Sequence, residues 1–185
     1  MAYIEYFETT GVDNTERVLE LVAQRARELG IKRIVVATSF GETGIRASQA
    51  LKDFEIIVVT HSTGLRAPDQ QGVTPDKREQ MIANGAKVLT CTHTFGGVGR
   101  SVRRKFGTYE LEELIAYTLR IFGQGCKVAC EITMMAADAG LVRTDEEVVT
   151  ITGTHRGADT AFVIKPAHAQ DFFNLRVREI ICKPR

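Results

Sequence analysis

Little in this sequence is extreme, and each thing it lacks removes a class of function. No charge of one sign dominates: 24 Lys and Arg stand against 23 Asp and Glu, a formal net charge of +1. That balance removes any whole-chain electrostatic case for nucleic acid. No apolar run approaches the roughly 18 residues that a membrane span needs. The start, Met1-Ala2-Tyr3-Ile4-Glu5-Tyr6, has no basic segment followed by an apolar one, so no signal peptide is expected. Cysteine is limited to four residues, Cys91, Cys126, Cys130 and Cys182, and no two form a C-x-x-C pair. His61, His93, His155 and His168 do not join them at zinc spacing, and Cys91-Thr92-His93 alone is a weak metal signal. No G-x-x-x-x-G-K-[ST] is present, which excludes a P-loop NTPase. Gly96-Gly97-Val98-Gly99 lacks both the G-x-G-x-x-G spacing and the acid that should follow. The expectation is a cytoplasmic protein with reduced thiols and no metal, membrane or nucleic-acid partner.

What remains is an ordinary globular composition, 44% hydrophobic and 25% charged. Its 185 residues sit at the upper edge of common single-domain size. Without a repeat, a low-complexity tract or a linker, residues 1–185 read as one domain.

The hydrophobic pattern alternates between helix and strand. Val18, Leu19, Leu21, Val22, Ala26 and Leu29 recur at helical spacing, with Asp13-Asn14-Thr15 as capping side chains and Gly30 as the stop. A buried strand, Ile31 to Ala37, leads through the turn Thr38 to Gly44 into a second helix ending near Leu51. Glu55 to Thr60 is too continuously apolar for a half-exposed strand. A polar loop, His61 to Gly72, follows, and Thr74-Pro75-Asp76 opens a helix that ends at Gly85. Ala86 to Thr90 is a third strand. Such alternation favours a parallel sheet with right-handed crossovers. Thr92 to Gly107 reads as a Gly- and Arg-rich loop, then two helices span about 109–122 and 126–141. Val148 to Thr152 is a fourth strand. Thr160 to Ile164 follows so soon that it should return antiparallel. Arg176 to Cys182 reads as an edge strand, whose stretch from Val177 to Ile181 could pair with a second copy.

In open α/β sheets, ligands bind outside the carboxyl ends of the strands, where loops enter helices. Thr38, Ser39, Phe40, Gly41, Glu42 and Thr43 form such a loop. Glycine lets backbone approach closely, and the helix start supplies open N–H groups, which together suit a phosphate. The plain alternative is a tight turn whose hydroxyls cap the next helix. Gly153, Thr154, Arg156 and Gly157, after the fourth strand, could surround an anion, or form a long β-turn. His61, Ser62 and Thr63, and His93 to Gly97, also lie at strand ends. Phe40 or Phe95 could stack on a ring, although packing is the commoner use. Arg100, Arg103, Arg104 and Lys105 form one basic cluster, a lid over phosphates in one reading and a solvated loop in the other. Cys126 and Cys130, four apart on a helix, read as packed rather than reactive.

These landmarks resemble the small proteins related to the C-terminal α/β domain of pyruvate kinase. The resemblance runs from Thr15 to Pro166. It rests on Thr38-Ser39-Phe40-Gly41-Glu42-Thr43, on Thr152-Gly153 with Gly157, and on three segments similar to the stand-alone members. Those are Gly123-Gln124-Gly125-Cys126-Lys127-Val128-Ala129-Cys130-Glu131-Ile132, Met135 to Leu141, and Arg156-Gly157-Ala158-Asp159-Thr160-Ala161. The resemblance implies a three-layer α/β fold: a mostly parallel twisted sheet, helices on both faces and an antiparallel edge strand. No TIM barrel is present, so pyruvate kinase activity is not implied. For the stand-alone subgroup it implies flavin mononucleotide (FMN), with phosphate near Ser39, Gly41 and Thr43 and further contacts from Gly153, Thr154 and Arg156. Gly123, Gln124, Gly125 and Lys127 would then line the ring side. A flavin would carry the redox chemistry; His61, His93 and Glu131 are the candidate proton donors, and no catalytic residue is assigned. The second reading is a non-catalytic module that senses a sugar phosphate or nucleotide. Either could be a homo-oligomer.

Overall fold

Strands that are apolar on both sides need cover on both sides, and that requirement organises the molecule. The computed structural model describes residues 4–185. Seven strands form its sheet: β1 (Glu5–Phe7), β2 (Arg33–Thr38), β3 (Glu55–Thr60), β4 (Lys87–Leu89), β5 (Val148–Thr152), β6 (Thr160–Lys165) and β7 (Arg176–Pro184). Six helices join them: α1 (Thr15–Leu29), α2 (Glu42–Ala50), α3 (Pro75–Ala83), α4 (Val98–Phe106), α5 (Leu111–Arg120) and α6 (Gln124–Asp138). The order across the sheet is β1-β7-β6-β5-β2-β3-β4. β2, β3, β4 and β5 pair in parallel, as does β1 with β7. β6 runs against both of its neighbours.

This is the mostly parallel α/β sheet that the alternation implied, including the antiparallel return after Val148–Thr152. Two details differ. The sheet continues past β6 through β7 to β1, a strand of three residues too short for periodicity to reveal. β1 pairs with β7 only at Cys182, Lys183 and Pro184, so the outer edge of Arg176 to Ile181 has no strand partner among the described residues. The segment after Thr92 is also not a continuous loop: Val98–Phe106 is helical. Its arginines and lysine are good helix formers, and only the flanking glycines suggest a loop.

Helices α1, α2 and α3 cover one face. Val18, Val22 and Ala26 of α1, Ala47 of α2 and Met81 of α3 pack with Ile34, Val36, Ile56, Val58, Val149 and Ile151. The alternate residues Val35, Ile57, Val59 and Val148 point to the other face, under Ile132, Met135, Ala136 and Ala137 of α6. α5 lies outside α6, with Ala116 against Cys130 and Met134. α6 is therefore buried from two directions, as its apolar circumference requires. Cys126 and Cys130 are buried within it, as packing residues should be.

The sequence implied side-chain caps from Asp13, Asn14 and Thr15 at α1, and none forms. Asn14 instead donates to the Thr9 carbonyl, and the Thr15 hydroxyl accepts the Ala158 N–H at 3.0 Å. The chain before α1 is thereby tied to the loop after β5. No helix among the described residues is long and apolar enough to cross a membrane.

Candidate functional site

The chain leaves β2 through α2 towards β3 on one face, then returns through α6 on the other face to β5. β2 and β5 are neighbours. Loops that diverge to opposite faces leave a crevice between them. Here it is a cavity of about 570 Å³, walled chiefly by the loops after β2 and β5 and by α6.

The loop after β2 is the first wall. Thr38 Oγ1 accepts the N–H groups of Gly41, at 3.1 Å, and Gly44, so one of the three hydroxyls does cap α2. Ser39 Oγ lies 3.3 Å from His61 Nε2. In the first turn of α2 the Glu42 N–H meets its own carboxylate, and the Thr43 N–H is among those a helix start leaves without an intrahelical acceptor. Lys77 donates to Glu42 Oε1 at 2.6 Å, and this hydrogen bond holds the Glu42 carboxyl below its ordinary range. Phe40 is not open for stacking. The guanidinium carbons of Arg66 and Arg156 stand 4.4 and 5.1 Å from its ring centroid.

The loop after β5 is the second wall, and Asp159 shapes it. This carboxylate, fully buried, accepts the N–H groups of Gly11 at 2.9 Å and Thr154 at 3.1 Å, and the Thr160 hydroxyl at 2.7 Å. Gly157, at φ +77°, passes so close to Val12 that a Cβ would lie 2.4 Å from its Cα. Only glycine meets both demands. The segment Arg156-Gly157-Ala158-Asp159 thus works as a staple that presents Gly153, Thr154 and Arg156 to the cavity.

α6 supplies the third wall. Gln124, Lys127, Val128, Glu131, Ile132 and Met135 share one helical face and all line the cavity. Lys127 and Glu131, 7% and 3% exposed, form a buried ion pair. Glu131 Oε1 also accepts the Phe95 N–H at 3.1 Å, and Oε2 lies 3.6 Å from His93 Nδ1. His93 Nε2 accepts the Ser62 N–H at 3.3 Å, which assigns the ring proton to Nδ1, facing Glu131. Burial pulls the Glu131 carboxyl upward, but the His93 hydrogen bond and the Lys127 ammonium outweigh it and hold it at about 2. Desolvation pulls Lys127 down. Lys127 Nζ makes one hydrogen bond and keeps donors for the cavity.

His61 sits where the walls meet, 5.5 Å from His93 between ring centroids. Burial, then the neighbouring His93 and Arg66, press it down to about 4. It is therefore a neutral imidazole near pH 7.

Of the residues singled out in the sequence, Thr38, Ser39, Phe40, Glu42, Thr43, His61, Gln124, Lys127, Gly153, Thr154, Arg156 and Gly157 line this one cavity. Gly41 lies behind it against Lys77, and Gly125 against Thr160. Ser62 supports His93, Thr63 is exposed, and Gly123 precedes α6 without reaching the wall. Phe95, 5% exposed, packs on Phe172 and is not available to a ring. Of the basic cluster, Arg100 reaches the cavity, while Arg103 pairs with Glu113 at 2.9 Å. Sequence reasoning missed Arg46, Arg66 and Arg120, which also line it. Isolated arginines in helices and loops carry no motif; only folding brings them together.

An open α/β sheet with a crevice at the switch point of its parallel strands is the class of protein defined by this arrangement. The family described as pyruvate kinase, alpha/beta domain, matches residues 16–164, and the chain belongs to that family. Similar solved structures include a pyruvate kinase from Cryptosporidium parvum, 15% identical with a TM-score of 0.45, covering 83% of this chain and 23% of that one. The Cryptosporidium parvum pyruvate kinase in complex with ADP is also 15% identical, with a TM-score of 0.43 and coverage of 83% and 24%. An O-ureido-L-serine synthase is 16% identical, with a TM-score of 0.33 and coverage of 74% and 50%. The chain spans about a quarter of the length of these pyruvate kinases.

Proposed function

We propose that this domain binds a phosphorylated, ring-bearing small molecule in the cavity, and that the ligand is FMN. One observation carries the reading. Arg66 and Arg156, neither paired with a carboxylate among the described residues, converge on Phe40 beside the start of α2. Two cations drawn to one ring repel each other, and an anion beside them relieves that repulsion. The helix start adds N–H donors and partial positive charge for the same anion.

The remaining walls suit a flat ring with a polar edge. Ala37, Val59, Val128, Ile132 and Met135 supply apolar surface, and a cavity of about 570 Å³ is of ordinary size for a small-molecule site. Gln124 and Lys127 offer donors to ring carbonyls. When bound, a flavin supplies hydride and electron transfer. The chain's own share is to orient the ring, exclude water and, through neutral His61, hold a place for a proton.

The test is to mix purified protein with FMN, remove the excess and record the visible spectrum. Flavin bands that stay with the protein support the reading, and Arg66→Ala and Arg156→Ala each then weaken FMN by about 1–3 kcal/mol. Riboflavin, which has no phosphate, binds both variants and the parent alike. A flat spectrum refutes the flavin. Saturable binding of a sugar phosphate, measured by calorimetry, would then favour the sensor.

A further inference from the structure

The outer face of α5 and the turn that ends it carry a dense run of exposed large apolar residues. Leu111 is 71% exposed, Leu114 52%, Tyr117 50%, Ile121 76% and Phe122 57%. Leu111, Leu114, Thr118 and Ile121 recur at three- and four-residue steps, so they share one stripe. The opposite side of α5 already buries Ala116 against α6, with Ile115 and Leu119 beside it. The helix is therefore apolar on two sides and covered on one.

We infer that two copies of this chain associate through the outer face of α5, packed antiparallel across a two-fold axis. The area fits. At about 200 Å² for a fully exposed large apolar residue, these five residues and Tyr109, which meets Tyr117 edge to face, expose about 700 Å². A monomer's largest apolar patch runs to about 300–600 Å², and a standard interface takes about 800 Å² from each partner. The one polar residue on the stripe costs little to cover, because the Thr118 hydroxyl already donates to the Leu114 carbonyl at 3.0 Å.

The pattern is also self-complementary, as a two-fold interface requires. Antiparallel pairing sets Leu111 of one copy against Ile121 of the other, and Leu114 against Thr118. Antiparallel packing also sets the two helix dipoles in opposition. The outer edge of β7 is the weaker candidate, since exposed Arg176 and Arg178 stand on it and charge blunts an edge. Arg120, which stacks on Tyr117 and precedes Ile121, lines the cavity, so the interface borders the ligand site.

The experiment is sedimentation velocity over a dilution series of the ligand-free chain, with light scattering for mass. The parent is expected at twice the chain mass at high concentration. Leu114→Glu with Ile121→Glu is expected at the chain mass over the same range, with an unchanged circular dichroism spectrum. Both positions are half-exposed or more, so folding does not depend on them; if that variant loses its fold, Ile121→Lys alone replaces it. A monomeric parent at the highest concentration overturns the inference. So does a folded variant that stays dimeric, which would move the contact elsewhere.

Discussion

Glu131 is 3% exposed and accepts from three sides: the Lys127 ammonium, the Phe95 N–H and, at longer range, His93 Nδ1. Glu131→Ala removes the partner of an ammonium that is itself 7% exposed. Breaking a buried pair in this way costs about 3–5 kcal/mol, because a charge is left uncompensated. In urea, at about 2 kcal/mol per molar for a chain of this size, the midpoint should fall by about 2 M. Lys127→Met with Glu131→Leu removes both charges and should lose less than Glu131→Ala, the residue of its loss coming from the Phe95 N–H without an acceptor. The pH dependence carries a sign. Glu131 is depressed from 4.5 to about 2 in the folded state, so its contribution is complete above pH 4.5 and is lost as pH falls through 2. The difference in stability between parent and double variant should therefore shrink over that window by about 3 kcal/mol. Parallel pH profiles, or a Glu131→Ala cost under about 1 kcal/mol, would refute the account of this pair.

Two further outcomes are expected besides those given for the arginines and for α5. The His61 resonance should titrate near pH 4, and its contribution to stability, complete above 6.5, should decline as pH falls to 4. A phosphorylated ligand beside Arg66 should raise that midpoint, because the Arg66 charge is among the forces depressing it; a midpoint near 6.5 without ligand would refute the buried neutral ring. Gly125→Ala puts a Cβ 2.2 Å from Thr160 Oγ1 and 2.5 Å from its Cβ. Thermal melting should show a loss of about 1–3 kcal/mol from overpacking, and an unchanged midpoint would mean that α6 and β6 are not held this closely.

How much was legible in the chain follows from how local each cause is. β3 and β5 were readable to the residue, because a strand buried on both faces is continuously apolar and the stops at Thr60 and Thr152 are local. α1 was readable from its stripe and from Gly30, which takes φ +67°. The loops after β2 and β5 were readable as rich in glycine and hydroxyls, since residues at strand ends are also a local pattern, but that they wall one cavity was not. α4 was misread because a helix with so little apolar periodicity looks like a loop, and β1 escaped because three residues carry no period. The tie between Thr15 and Ala158, the staple at Asp159, the meeting of Glu131 with His93 and Phe95, and the convergence of Arg66 and Arg156 on Phe40 were all decided by tertiary structure. Each joins segments far apart in the chain. For the pair of Lys127 and Glu131 the four-residue spacing was visible, but the burial was not. Periodicity records which face of an element is apolar; it does not record what lies opposite that face, and the cavity is made of what lies opposite.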